Sequence, residues 1–267
     1  QDYLNLPVIA GTIDRFIEIK GERNGKEYLR LKLIDFDSII KINLNETLEQ
    51  IEDGDYLRSS IRVLKRNGII LTEGYDIEVK GNIPIKSGLS SSSALTVAWL
   101  RFLTKAAVPS NKFQDEQFAR WAYESEVLEF NEAGGIMDQY TISIGGMLYI
   151  DTLETTCKKL NVKLRGLIIG DSGIEKKTQE ILTRLKDSAL KAIALVKKYN
   201  PNFKIHDAKK QDFYDYRKNL PFDLHPYFYA AIFNHKITQS ALLEFEDPNH
   251  DTNKIAKLIN AHQEILD

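Results

Sequence analysis

The sequence predicts an α+β protein in two lobes, because its first half is rich in strand patterns and its second half in helix patterns. Alternating apolar and polar residues, which are typical of strands, are concentrated in the first third of the chain. After Ser172, apolar residues recur mainly at the three- and four-residue spacing of amphipathic helices. With 267 residues, the chain can form one large or two modest domains. We divide it into residues 1–160 and 161–267.

Each predicted element follows from the spacing of its apolar residues. Strands, marked by alternation or by clustered β-branched residues, are predicted over residues 7–20, 27–36, 75–80, 145–151, 158–164 and 167–169. Helices, marked by amphipathic periodicity, are predicted over residues 53–67, 91–107, 112–130, 175–199, 227–244 and 253–266. The charged stretch 206–218, which is followed by Pro221, is expected to be an irregular connection.

Composition and charge exclude several classes of protein and partner. Hydrophobic residues make up 43% of the chain and charged residues 28%, which is typical of a soluble globular protein. A net charge of -2 provides no broad positive field, so binding to nucleic acid or to a membrane surface is not expected. The single cysteine, Cys157, and the absence of a signal-peptide or membrane-spanning pattern favour a cytoplasmic protein. A strand-like run begins soon after Gln1, and we expect further residues to precede it.

A serine-rich segment, residues 81–95, joins a predicted strand to a predicted helix. The first amides of a helix lack intrahelical acceptors and the helix dipole is positive there, so an anion can bind at such a turn. Gly88 permits close backbone approach, and four successive serine hydroxyls could contact phosphate oxygens or a metal ion. A second interpretation is a helix N-cap followed by small residues that pack closely against a sheet. The common P-loop pattern is absent.

Two carboxylates, Glu126 and Asp138, are twelve residues apart and could converge on one site. Phosphoryl transfer requires Mg²⁺, which takes only one or two protein ligands, and a second carboxylate can orient the attacking hydroxyl and accept its proton. Taken singly, Glu126 could instead be a solvated helix charge. Asp138 could likewise be a turn or capping residue after Gly134 and Gly135.

The motifs resemble those of the GHMP small-molecule kinase superfamily. Pro84 and the run Gly88-Leu89-Ser90-Ser91-Ser92-Ser93-Ala94 are similar to its phosphate-binding motif, and residues 134–140, Gly-Gly-Ile-Met-Asp-Gln-Tyr, resemble the sugar-side segment of its galactokinase-like branch. The opening residues resemble the end of the galactokinase signature. The resemblance implies a two-lobed GHMP kinase fold, with an N-terminal lobe of the ribosomal protein S5 domain 2-like type and a helix-rich, ferredoxin-like C-terminal lobe.

The same resemblance implies roles for individual residues. Asp138 would be the catalytic carboxylate on the acceptor side. Glu126 would bind Mg²⁺ together with a serine hydroxyl, that of Ser91 or Ser92, of which Ser92 is the preferred candidate. Asp2, the Gly135 backbone and Asp138 would contact the sugar. ATP would be bound by the phosphate loop, comprising Gly88, Leu89, Ser90, Ser91, Ser92 and Ser93.

The expected function is ATP-dependent transfer of the γ-phosphoryl group to a sugar hydroxyl, with the anomeric hydroxyl as the preferred acceptor. The expected partners are a small-molecule sugar and ATP, and the protein is expected to be a monomer or a homodimer. Kinases for a uronic acid, arabinose, a heptose or mevalonate remain alternatives, because residues 170–178 depart from the galactokinase pattern. A catalytically silent sugar and ATP sensor is a further alternative. The family's Arg, Glu and His before Asp2 and its glycine-rich third motif fall outside residues 1–267, so both ends are expected to be truncated.

Overall fold

The computed structural model describes residues 2–84, 87–162, 164, 168, 170 and 178–266. Its strands are β1 Val8–Gly11, β2 Ile17–Arg23, β3 Tyr28–Leu33, β4 Ser38–Asn43, β5 Tyr75–Gly81, β6 Met147–Asp151 and β7 Thr156–Leu160. Its α-helices are α1 Tyr56–Arg66, α2 Ser91–Ala107, α3 Asp115–Tyr123, α4 Met137–Ile144, α5 Thr178–Tyr199, α6 Lys210–Tyr216, α7 His225–Glu246 and α8 Thr252–Leu266.

A four-stranded sheet with the order β2-β5-β3-β4 forms the first layer of the molecule. Strand β3 pairs in parallel with β5, which places Leu31 opposite Ile77, and β4 and β2 pair antiparallel on either side. Alternate residues of these strands are buried beneath α1 and α2. The fully buried Trp99 of α2 donates its indole N–H to the Leu57 carbonyl of α1 at 3.0 Å, which ties the two helices together.

A second sheet, with the order β1-β6-β7, lies between two layers of helices. Because side chains alternate along a strand, Val8 and Leu148 pack with residues of α3 and α4 on one face. Ile9 and Tyr149 point to the other face and join the apolar cluster that contains Phe245 of α7. Both faces of these short strands are apolar because each face packs against helices.

The helical second half has its own core, formed mainly by α5, α6 and α7 around the fully buried Phe228 and Ile232. Leu4 and Leu6 are also buried in this core, so the opening residues pack against the second half of the chain. The division at residue 160 stays a prediction. In the described part of the chain, no helix combines the length and apolar composition needed to cross a lipid bilayer.

The α+β class is confirmed. Helix α2 has the predicted bounds, and the predicted strand over 7–20 is interrupted between β1 and β2. The prediction of an irregular connection over 206–218 is wrong, because it contains α6: Asp212 accepts the Lys209 amide at 2.6 Å and Phe213 is buried. The predicted strand over 167–169 lies largely outside the described residues.

Besides α6, two further elements were not expected from the sequence, β4 and α4. Strand β4 lies at the edge of its sheet and follows a 3₁₀ turn, Ile34–Phe36, which the predicted strand 27–36 had included. The predicted helix over 112–130 is α3 followed by one turn of π-helix, Glu124–Leu128. Both α4 and this π turn contribute carboxylates to the site described next.

Candidate active site

The serine-rich loop ends in the N-terminus of α2 and has the backbone geometry of an anion site. Gly88 and Ser90 both have positive φ angles, +80° and +56°, and the Ser87 hydroxyl donates to the Pro84 carbonyl at 2.7 Å. The first helical hydrogen bond of α2 runs from the Ala94 amide to the Ser90 carbonyl at 3.0 Å. The preceding amides of the first turn have no acceptor within the helix, so they can bind an anion.

Glu126 lies on the π turn that follows α3. The hydrogen bond from the Glu129 amide to the Glu124 carbonyl, 3.0 Å, spans five residues, and the Glu129 carboxylate is paired with Arg62 and Arg66. Single π turns are rare and are frequent at functional sites. Glu126 is only 3% exposed, which excludes the interpretation of a solvated helix charge.

The surroundings of the Glu126 carboxylate are polar although it is buried. Its Oε2 accepts a hydrogen bond from Gln139 Nε2 at 2.7 Å, while Oε1 is buried and accepts none from the residues that the structure describes. Burial raises the pKa of Glu126 to about 7, against the opposing effect of the Gln139 amide and of the Ser93 and Ser92 hydroxyls. The negative charge of Asp138 raises the pKa further. The two predicted carboxylates and the start of α2 therefore share one site.

Asp138 is the second residue of α4 and is half-buried. A carboxylate in the first turn is favoured by the helix dipole. Asp138 therefore lies in a helix, which excludes the interpretation of Asp138 as a turn residue. Because the charge of Asp138 acts on the buried Glu126, the two carboxylates lie close enough to interact electrostatically.

Asp2 reaches the N-terminus of the same helix. Its Oδ2 accepts the backbone amide of Met137, the first residue of α4, at 3.1 Å, and its Oδ1 accepts the Tyr3 amide at 3.1 Å. A Cβ atom on Gly135 would lie 2.1 Å from Asp2 Oδ2. Asp2 is therefore an ordered capping residue, and Gly135 is the residue that leaves room for it. Contact of either residue with a sugar stays a prediction.

The structure brings most of the predicted site residues together. Ser92, Ser93 and Asp138 all influence the Glu126 carboxylate, and Gly88, Leu89, Ser90 and Ser91 form the loop and the start of α2 that precede Ser92. Asp2 and Gly135 lie at the N-terminus of the helix that carries Asp138. Lys86 of the serine-rich segment 81–95 and residues 171–177 of the segment 170–178 lie outside the described residues.

Two residues of the site were missed by sequence reasoning. Gln139 binds Glu126, and its only signal in the sequence is its place directly after Asp138. Tyr56 donates its hydroxyl to Glu132 at 2.8 Å; burial, this hydrogen bond and the charges of Glu132 and Glu126 all raise the pKa of its phenol. No local pattern distinguishes Tyr56 from other residues at the start of an amphipathic helix.

The residues present fit a divalent cation that takes few protein ligands. Glu126 Oε1 is a buried carboxylate oxygen that has no hydrogen-bond donor in the described part of the chain, which suits a hard cation such as Mg²⁺. Among the described residues, no group of three or more His, Cys, Asp or Glu side chains could hold a metal by itself. Binding of a cation by Glu126 together with the Ser92 hydroxyl stays a prediction.

Comparisons with known proteins agree with this geometry. Residues 55–146 match the model of the GHMP kinases N terminal domain. The galactokinase of Thermococcus kodakarensis is 31% identical over 163 residues, which cover 57% of this chain and 43% of that protein. The galactokinase of Thermotoga neapolitana is 28% identical over 188 residues, covering 65% of this chain and 49% of that protein. The match thus spans less than half the length of each of these relatives.

Solved structures show the same fold. Lactococcus lactis galactokinase complexed with galactose superimposes with a TM-score of 0.84 at 19% identity, over 99% of this chain and 70% of that one. Methanococcus jannaschii mevalonate kinase superimposes with a TM-score of 0.61 at 18% identity, over 99% of this chain and 73% of that one. The domain match over the serine-rich loop and both carboxylates shows that residues 55–146 form a GHMP kinases N terminal domain, and the chain around it is similar to galactokinases.

Proposed function

We propose that the protein of which this chain is a part is an ATP-dependent sugar kinase, which transfers the γ-phosphoryl group of ATP to a sugar hydroxyl, most simply the anomeric one. One observation carries the proposal: the buried Glu126 and the half-buried Asp138 share a site with the first turn of α2. Phosphoryl transfer depends mainly on positioning and electrostatic stabilisation, and this arrangement offers an anion site and two carboxylates with different surroundings.

Each group has a part in the proposed reaction. The amides at the start of α2 bind the phosphates of ATP, and the positive helix dipole favours their charge. Glu126 and the Ser92 hydroxyl hold Mg²⁺, which would neutralise charge on the phosphate oxygens. Asp138 orients the acceptor hydroxyl and takes its proton as the new P–O bond forms and the bond to the ADP oxygen breaks. Asp2 and the Gly135 backbone contact the sugar from the N-terminus of α4.

The sugar is proposed from the relatives and from residues 134–140. The curated relatives described above are galactokinases, and the segment that resembles theirs is the one that contains Gly135 and Asp138. A mevalonate kinase shares the fold at lower similarity, so the fold alone does not select the acceptor. The experiment therefore has to compare acceptors from several chemical classes.

The experiment measures ADP formation by the full-length protein with Mg-ATP and a panel of hexoses, pentoses, uronic acids, a heptose and mevalonate. Asp138→Asn should lower kcat by about 10²–10⁴-fold, the usual contribution of a general base, while ATP and the sugar still bind. Asp53→Asn makes the same chemical change at an exposed loop position and should leave kcat unchanged. Binding of ATP and a sugar without turnover of any acceptor would contradict the kinase and support the sensor.

A further inference from the structure

The geometry points to Gln139 as a positioning residue that sets the orientation of the Glu126 carboxylate for a bound cation, an inference that rests on the proposed kinase function. Gln139 is the residue after Asp138 in α4 and is only 4% exposed. Its amide nitrogen is 2.7 Å from Glu126 Oε2 and 3.4 Å from the Ser93 hydroxyl. A single amide group therefore joins α4, the π turn and the first turn of α2.

The chemistry of the amide determines which end faces Glu126. An ionised carboxylate accepts hydrogen bonds only, so it is the NH₂ end of Gln139 that faces an ionised Glu126. The amide has two N–H donors, of which one serves Glu126 and the other is directed at the buried Ser93 hydroxyl. Because Ser93 is 3% exposed and lies in a regular helix, it is a rigid anchor for the amide.

The hydrogen bond decides which carboxylate oxygen remains available. The terminal torsion of a glutamate side chain has broad minima, so an unrestrained carboxylate would rotate. With Oε2 engaged by Gln139, Oε1 is left as the buried oxygen to which no described residue donates. Partners that hold metal-binding carboxylates typically change metal affinity by 10–100-fold when removed. Gln139 would thus act on the cation through Glu126, without contacting phosphate or acceptor.

Gln139 also connects the two sides of the proposed reaction. Asp138, its neighbour in α4, is the proposed acceptor-side carboxylate, whereas Glu126 is the proposed ligand on the nucleotide side. A purely structural role, in which Gln139 only compensates a buried carboxylate, predicts a loss of stability without a specific change in metal affinity. The two roles therefore differ in a quantity that can be measured at equilibrium.

The test compares Mn²⁺ binding in the presence of ATP, measured on the full-length protein by electron paramagnetic resonance of free Mn²⁺. Gln139→Met removes the donor at similar side-chain length, and Gln117→Met makes the same change at an exposed position of α3. We expect Gln139→Met to weaken Mn²⁺ binding by at least about 10-fold. In Gln139→Met, the affinity for ATP in EDTA and the KM for the sugar should stay within about twofold of the wild-type values. In Gln117→Met, the Mn²⁺ affinity, the ATP affinity and the KM should all stay within about twofold of wild type.

A double-variant cycle distinguishes positioning from a general loss of folding. In a Glu126→Gln background, the carboxylate that Gln139 would orient is gone, so Gln139→Met should change Mn²⁺ affinity by less than twofold. If Gln139→Met fails to fold, Ser93→Ala, which removes the second anchor of the amide, is measured in its place and should weaken Mn²⁺ binding in the same direction.

The outcomes separate this inference from the proposed function. Wild-type protein that binds Mn²⁺ with ATP, together with a folded Gln139→Met or Ser93→Ala variant of equal Mn²⁺ affinity, overturns the role of Gln139 alone. Equal weakening in the presence and absence of the Glu126 carboxylate also overturns it. Wild-type protein that binds no Mn²⁺ in the presence of ATP overturns both the positioning role and the kinase.

Discussion

The carboxylate of Asp2 occupies the space that a side chain at position 135 would need, since a Cβ on Gly135 would lie 2.1 Å from Asp2 Oδ2. The same oxygen accepts the Met137 amide at 3.1 Å and so caps α4 from a position 135 residues earlier in the chain. Helix α4 carries Asp138, and Leu4 is buried in the core of the second half. The opening residues therefore link that core to the candidate active site.

This relationship predicts a difference between two adjacent glycines. Gly135→Ala should lower the free energy of unfolding by about 1–3 kcal/mol, because its methyl group forces the capping carboxylate away. Gly134→Ala should be nearly neutral, since its Cβ would meet only Val127 Cγ2, at 3.4 Å. Urea unfolding of both variants measures the two effects.

A double variant checks that the contact with Asp2 is the cause. When Asp2→Ala is already present, the clash is gone, so adding Gly135→Ala should cost clearly less than it does in the wild type. Equal stability of Gly134→Ala and Gly135→Ala would show that Asp2 moves away at no cost, and would remove the steric reason given for Gly135.

The left-handed conformation at Gly88 predicts a specific effect on nucleotide binding. An alanine at φ +80° costs about 1–2 kcal/mol, and a shift of the loop to relieve this cost would misalign the amides at the start of α2. Gly88→Ala should therefore raise the Kd for ATP by about 10-fold or more, as measured by isothermal titration calorimetry.

Gly54→Ala is the matched control, because Gly54 has nearly the same φ, +82°, and its Cβ would meet no atom of the described residues within 4 Å. It should lose a similar amount of stability and bind ATP as the wild type does. Loss of ATP affinity in both variants, in proportion to their stability, would argue against a phosphate site at the serine-rich loop.

The thiol of Cys157 is predicted to react slowly. Burial raises its pKa to about 11, and the charge of Glu116 adds to this effect, so at pH 8 only about one thiol in a thousand is ionised. Alkylation by iodoacetamide, followed by mass spectrometry, should be roughly 100-fold slower in the native protein than in urea. Labelling at the same rate in both states would contradict the burial of this side chain.

The elements that could be predicted from the sequence are those whose signal is local. Helix α2 was predicted with its observed bounds because its serine-rich start and its apolar periodicity lie within the helix itself. Helix α4 was not, because it has only eight residues and its N-terminus is capped by Asp2 rather than by a neighbouring residue. Its stability depends on a contact that no local pattern contains.

The same limit applies to the candidate site. The serine-rich loop and the two carboxylates could be proposed from residue types and from resemblance, since each belongs to a short motif. The π turn that directs Glu126 inward depends in part on Arg62 and Arg66 of α1, which pair with Glu129. The bond between Gln139 and Glu126 likewise joins two elements whose relative position the sequence does not specify.

The buried Glu126 predicts that the metal-free protein loses stability as the pH rises. In the folded state its pKa is about 7, above the value of 4.5 for an unperturbed glutamate, so the folded protein holds this proton more tightly than the unfolded chain. The contribution of Glu126 to the free energy of unfolding is fully present below pH 4.5 and is lost as the pH rises through 7. Over pH 5–8 the loss amounts to roughly 2–3 kcal/mol.

Glu126→Gln isolates that contribution, because a neutral amide has nearly the same shape and does not titrate. In EDTA, the free energy of unfolding of Glu126→Gln minus that of the wild type should increase by ~2–3 kcal/mol between pH 5 and pH 8. Other titrating groups cancel in this difference, which urea titrations at both pH values provide. A difference that does not change with pH would mean that Glu126 is ionised at little cost, and its burial would then no longer indicate a site that a cation completes.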